Sequence, residues 1–119
     1  MSGDKAALDR VRDLCLTLPE ASERPSHGAP SFFVRDKKCF VMYHDDHHGD
    51  GRLALWCNAP PGAQPALVGG DGVRFFVPPY VGYRGWVGVR LDRDPDWEDI
   101  AEIIEDAYRV TALRRGSRQ

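Results

Sequence analysis

The sequence predicts an α+β fold: a two-layer sandwich in which an antiparallel sheet carries two long helices on one face. Two observations lead there. Residues near both ends of the chain repeat their apolar positions at the helical period, each with a single apolar stripe. The middle of the chain instead alternates apolar and polar residues with period two, in short runs separated by Gly, Pro, Asn and Asp. Helices with one stripe each bury it against a shared partner, so both belong on the same side of the sheet. The other sheet face is then expected to stay at least partly open to solvent. A chain of 119 residues is long enough for one such domain and one core.

Taken in order, Asp4 to Leu18 reads as the first helix. Leu8, Val11, Cys15 and Leu18 form its stripe, Asp4 is a candidate N-cap, and Pro19 stops it. Ser26 to Pro30 has too little periodicity to assign beyond a short loop or edge element. Ser31 to Arg35 is a strand with Phe32 and Val34 on one face, followed by a turn at Asp36-Lys37. Lys38 to His44 is a strand whose two faces, Phe40/Met42 and Cys39/Val41/Tyr43, are equally apolar, which leaves its orientation open. The polar segment His44 to Gly51 is a hairpin connection. It leads into Arg52 to Asn58, with Leu53, Leu55 and Cys57 inward and Arg52, Ala54 and Trp56 outward.

Ala59 to Val68 contains a short helix, with Pro65 tolerable only in its first turn. Gly69 to Gly72 turns the chain. Arg74 to Val77 is a short strand ended by Pro78-Pro79, and Gly82 and Gly85 permit the reversal that follows. Val87, Val89 and Leu91 then alternate with Trp86, Gly88 and Arg90. Asp94 as cap and Pro95 at the first helical position open the last helix, whose stripe is Trp97, Ile100, Ala101, Ile104, Ala107 and Tyr108. Acids dominate from Asp92 to Asp106, and Arg109, Arg114, Arg115 and Arg118 reverse the sign. Residues 112–119 are expected to form a flexible tail.

Composition narrows the function. The net charge of −2 argues against strong non-specific DNA binding, although it permits a local basic patch. Cys15, Cys39 and Cys57 are odd in number and widely spaced, which suits free buried thiols in a reducing compartment. No run reaches the roughly 18 apolar residues of a membrane helix, and the first residues lack the apolar core of a signal peptide. A cytoplasmic location, with no membrane partner and no cofactor, is the expectation.

Several segments together carry a family resemblance. They are Leu18-Pro-Glu20, Pro30-Ser-Phe32, Lys38-x-Phe40, His47-His-Gly-Asp-Gly-Arg52, Leu55-Trp56, Phe75-x-Val-Pro-Pro-Tyr80, Gly85-Trp86 and Asp106-Ala-Tyr108. In this order, over nearly the whole chain, the sequence resembles the MmcQ/YjbR family. The resemblance implies a frataxin-like (CyaY-like) α+β fold, in agreement with the two-layer reading. It also implies a DNA-binding label, which the family owes to the likeness of its fold to a double-wing motif. The resemblance brings no catalytic or ligand residues with it.

Three constellations are candidates for function. On the outward sheet face, Arg52, Trp56, Trp86, Gly88 and Arg90 combine rings that stack on bases with guanidinium groups that bind phosphate. If DNA is the partner, Lys38, Arg52, Trp56, Arg84, Trp86 and Arg90 are the expected contacts, with the arginine tail adding phosphate contacts. The same side chains could instead pack across strands, arginine on tryptophan, and simply cover the sheet, or the face could serve a homodimer or another protein. The second candidate, the His44–Asp50 loop, holds ligand types suited to a metal, but adjacent loop residues rarely converge on one ion, so a solvated hairpin tip is expected. The third is the arginine tail, which equally complements the negative end of the last helix. No nucleophile is legible beside a base, and an enzyme would need a pocket of converging polar groups near His27, His47 and Tyr80. The expected protein is a non-catalytic binding domain, with DNA ahead of a protein-interaction module and of small-molecule or metal binding.

Overall fold

The computed structural model describes the backbone of residues 2–116 and the side chains of residues 5–113. Along the chain run α1 (Ser2–Leu16), β1 (Ala21–Ser26), β2 (Ala29–Val34), β3 (Lys38–Asp45), β4 (Leu53–Cys57), α2 (Ala63–Gly70), β5 (Phe75–Phe76), β6 (Val87–Arg90) and α3 (Trp97–Gly116). Two short 3₁₀ turns, His47–Gly49 and Gly82–Arg84, interrupt the connections. The strands form one sheet in the order β1-β2-β3-β4-β6-β5, and every neighbouring pair is antiparallel. α1 and α3 pack on one face of it and bury Val11, Cys15, Ile100, Ile104 and Ala107 against Phe32, Val34, Leu55, Val87 and Val89. This is the expected α+β two-layer arrangement.

A bulge explains why β3 reads as apolar on both faces. Phe32 lies opposite Val41, but Phe33 lies opposite Cys39, so Phe40 is an extra residue on β3. Phe40 and Val41, neighbours in sequence, therefore both face the helices, together with Tyr43. Beyond the bulge the parity is reversed, and Cys39 and Met42 pack on the opposite face. Simple alternation could not orient the strand because the strand does not simply alternate.

β1 has no counterpart in the sequence prediction. Its sequence, Ala-Ser-Glu-Arg-Pro-Ser, is polar, and no residue in it is buried. These are edge-strand traits: charges and a proline discourage another chain from pairing there. His27 (φ 53°) and Gly28 (φ 79°) make the two-residue turn with both central residues left-handed that joins β1 to β2. Polar side chains fasten the edge. Arg12 of α1 meets Glu23 through two hydrogen bonds of 2.8 and 2.9 Å, and Ser22 and Arg24 both donate to Asp36.

The helix boundaries shift from those expected. α1 begins at Ser2, so Asp4 lies inside the helix. In α3 the cap is Asp96, whose Oδ1 accepts from the N–H groups of Glu98 (3.1 Å) and Asp99 (3.2 Å), while Asp94 sits in a left-handed conformation at φ 53°. Asp96→Ala is therefore expected to cost about 1 kcal/mol in chemical denaturation, and Asp94→Ala much less. An equal loss from the two variants would refute the assignment. α3 continues to Gly116, so residues 112–116 of the expected tail are helical, and 117–119 lie outside the described residues.

The sheet face away from the long helices, expected to stay at least partly open, is shielded over its aromatic side chains. Met42, Ala54, Trp56, Phe76 and Trp86 form a second buried cluster there, with Cys39 and Val81 packed against it. The connection between β5 and β6 crosses this face. Gln64 of α2 pins it by donating from Nε2 to the carbonyls of Gly82 (2.8 Å) and Trp86 (2.7 Å). Local periodicity identified the face, but the residues that shield it come from elsewhere in the chain.

Candidate ligand pocket and basic groove

The six residues expected to contact DNA separate into three groups. Trp56 and Trp86 lie on the face opposite the helices, as the alternation requires, but are only 3% and 4% exposed, so their rings offer no open stacking platform. Arg52 and Arg90 are engaged within the protein. The Arg52 guanidinium lies 4.0 Å from the Phe76 ring centroid, and Arg90 meets both carboxylate oxygens of Asp92 at 2.9 and 3.1 Å. Burial alone would raise the Asp92 carboxyl; the hydrogen bonds from Arg90 and from the Leu53 N–H outweigh it and hold the group below its ordinary value. The space beside Gly88 is filled by Phe76, whose ring a Cβ at Gly88 would overlap.

Lys38 and Arg84 remain exposed, and the fold brings them together. With Lys37 they line a groove of about 660 Å³ that also includes Ser26, His27, Asn58 and Trp86. Lys37 and Lys38 come from the turn and start of β3, Arg84 from the 3₁₀ turn before β6. Lys37 escaped the sequence prediction because a turn residue shows no periodicity.

Next to the groove, and sharing His27, Met42 and Val81 with it, is a pocket of about 370 Å³ lined also by His44, His47, His48, Trp56 and Tyr80. All four histidines of the chain meet here. The His44 and Trp56 rings are 3.9 Å apart between centroids, and His47 lies 4.7 Å from His44 and 4.8 Å from Trp56. His47 and Tyr80 are 5.9 Å apart. Among the described residues, two buried polar atoms, His44 Nε2 and Trp56 Nε1, have no hydrogen-bond partner. Burial, assisted by the neighbouring His47 and His48 and opposed by Asp50, pushes the His44 pKa down to about 4, so its imidazole is neutral at physiological pH. His27, His47 and Tyr80 were legible as a possible meeting point. His44 was not, because the bulge hides which way β3 turns its last residues.

The 46–50 loop departs from a simple solvated tip. Its carboxylates serve its own backbone: Asp46 Oδ1 accepts from Gly51 N at 2.8 Å, and Asp50 Oδ1 from Arg52 N at 2.9 Å. That leaves His47 to turn inward onto Trp56 while His48 stays exposed. Among the described residues, no three His, Cys, Asp or Glu side chains gather as a metal ion would need. Nor are the thiols poised as nucleophiles. Burial raises all three, Cys39 to about 11 and Cys15 and Cys57 further still. No described helix is long and apolar enough to cross a membrane.

An antiparallel six-stranded sheet with long helices on one face and a loop-covered histidine–tryptophan pocket on the other defines a class of small α+β domain. Residues 16–110 match the YjbR family, and the chain belongs to that family. Among solved structures it is similar to that of the Deinococcus radiodurans protein DR2400, described as a DUF419 domain, with a TM-score of 0.73 and 21% identity over 87% of this chain and 76% of that one. At that identity the likeness is one of fold. No curated protein matches the sequence.

Proposed function

We propose that the protein is a non-catalytic cytoplasmic module that binds a strand of DNA along the groove bearing Lys37, Lys38 and Arg84. One observation carries this reading: three exposed cations converge on one groove, and none of them is in an ion pair among the described residues. The carboxylate nearest in sequence, Asp36, is already held by Ser22 and Arg24. Unpaired cations lining a concave surface suit phosphate, whose neutralisation releases counterions. Tyr80 and Tyr83, 70% and 87% exposed, flank the groove-lining Val81 and Arg84 and supply open stacking surfaces in place of the two buried tryptophans. Free thiols, those of Cys15 and Cys57 buried, fit a reducing cytoplasm.

Three phosphate contacts on a single strand correspond to a log–log salt slope of about −2, and so to binding roughly fifteenfold weaker at about 200 mM than at about 50 mM salt. Fluorescence anisotropy with a labelled single-stranded oligonucleotide measures both quantities. Lys38→Glu combined with Arg84→Glu is expected to abolish the complex, and Arg90→Gln to leave it unchanged. Absence of binding at the lower salt, or indifference to the double reversal, would sink this reading.

A protein interface is the second reading, favoured by the exposed apolar residues Val77, Tyr80 and Tyr83 on the same connection. It predicts a mass that rises with concentration in sedimentation equilibrium and does not depend on Lys38 or Arg84.

A further inference from the structure

We propose that Asn58 is the base-reading residue of the groove, its side-chain amide pairing with an unpaired adenine of the bound strand. The inference rests on the groove holding a strand, and it names the base contact that the three cations cannot supply. Asn58 follows β4 and lines the groove together with Lys37, Lys38 and Arg84. It is held at two points. Its backbone N–H donates to the carbonyl of Phe40 at 3.0 Å, and its Nδ2 donates to Thr111 Oγ1 at 2.8 Å. Thr111, on α3, is 2% exposed, so the amide leans on a fixed support. A side chain already held in one pose has little rotamer freedom left to lose on binding.

The free groups of the amide narrow its partner. A carboxamide carries two N–H donors and one carbonyl acceptor. Thr111 takes one N–H, which leaves a donor and an acceptor in one plane. Among the described residues nothing donates to Asn58 Oδ1, and, unlike His44 Nε2 and Trp56 Nε1, this oxygen is not sealed from solvent. Phosphate oxygens only accept, so the backbone of a DNA strand cannot satisfy Oδ1. A base edge with an N–H beside an acceptor satisfies both groups of the amide at once.

Adenine presents that pattern on either of its edges, N6–H beside N7 and N6–H beside N1. The N7 edge of guanine presents two acceptors and leaves Oδ1 without a partner. Pyrimidines have a matching edge but a smaller ring for the exposed Tyr80 and Tyr83 to stack on. The cations thus position the strand by its phosphates, and Asn58 supplies the sequence preference.

The experiment compares, by fluorescence anisotropy, two labelled single strands of equal length. One is oligodeoxyadenylate, and in the other unsubstituted purine replaces every adenine. Both strands keep the bicyclic ring and its nitrogens, but only adenine has the N6–H that Oδ1 would accept. The wild type should bind the adenine strand about tenfold more tightly than the purine strand. In Asn58→Leu the two strands should bind equally, each with the wild-type affinity for the purine strand. Asn58 is the single asparagine of the chain, so its side-chain amide signals are readily identified in the ¹⁵N-labelled protein. They should shift saturably with the adenine strand and stay in place with an abasic strand. Equal binding of the two strands by the wild type overturns the proposal, as does a stationary Asn58 amide. Neither result needs a variant to fold. A tenfold ratio retained in folded Asn58→Leu overturns it as well. If both strands bind equally but weaken with salt and with Lys38→Glu/Arg84→Glu, the groove stands and the role of Asn58 falls. If neither strand binds, both readings fall.

Discussion

Gly88→Ala is expected to destabilise the protein by about 2–3 kcal/mol, a large effect for a single methyl group. Gly88 lies on β6 between Trp56 on β4 and Phe76 on β5, directly paired with both. A Cβ there would overlap the end of the Phe76 ring. The ring cannot easily yield, because it is 9% exposed, packs with Trp56 and Trp86, and lies under the Arg52 guanidinium. Gly82 makes the contrast. A Cβ at Gly82 would crowd Val77 Cγ1, but Val77 is 54% exposed and can rotate away, so Gly82→Ala should cost much less. Urea denaturation of Gly88→Ala in the wild-type and Phe76→Ala backgrounds isolates the cause. With the ring gone, the alanine should cost under about 1 kcal/mol, because neighbouring sites couple through the contact they share. The same penalty in both backgrounds would mean that the strain lies in the backbone and not against Phe76.

Acid should destabilise the protein through His44. The folded-state pKa of about 4 lies below the ordinary 6.5, so the folded protein binds this proton more weakly than the unfolded chain does. Stability is thus fully present above about pH 6.5 and is lost as the pH falls from there toward 4. Linkage gives a loss on the order of 2–3 kcal/mol at pH 4.5. Asp92 acts lower: its pKa is depressed from 3.8, so its contribution persists at pH 4.5 and disappears only as the pH falls further. His44→Phe keeps a ring in the cluster and deletes the titrating group together with the unpartnered Nε2. At pH 8 it should be close to neutral or slightly stabilising. At pH 4.5 it should exceed the wild type by most of that difference. Unfolding curves at the two pH values decide the matter, and parallel pH dependence in both proteins would assign the acid sensitivity elsewhere.

The sequence by itself determined the class of fold, the inward faces of β2, β4 and β6, and the membership of Trp56 and Trp86 in the opposite face. Each follows from local periodicity, since a residue's parity within a strand decides its side whatever covers that side. Family segments spread from Leu18 to Tyr108 pointed to the same architecture, and the match over residues 16–110 agrees. β1 was not legible, because an edge strand held by Arg12–Glu23 and Arg24–Asp36 needs no apolar pattern of its own. The orientation of β3 was lost to one extra residue, Phe40.

The site was the least legible part. Which rings are open, and which cations are free, is decided by partners far away in sequence. Gln64 holds the connection that closes over Trp86, His47 covers Trp56, and Asp92 occupies Arg90. Lys37 and Lys38 meet Arg84 because the β2–β3 turn and the end of the β5–β6 connection line one groove, although β4 separates β3 from β6 in the sheet. Periodicity reports the direction of a side chain, whereas burial and pairing depend on what the folded chain brings against it. For this protein only the tertiary structure resolved a face expected to be partly open into a basic groove beside a lidded histidine–tryptophan pocket.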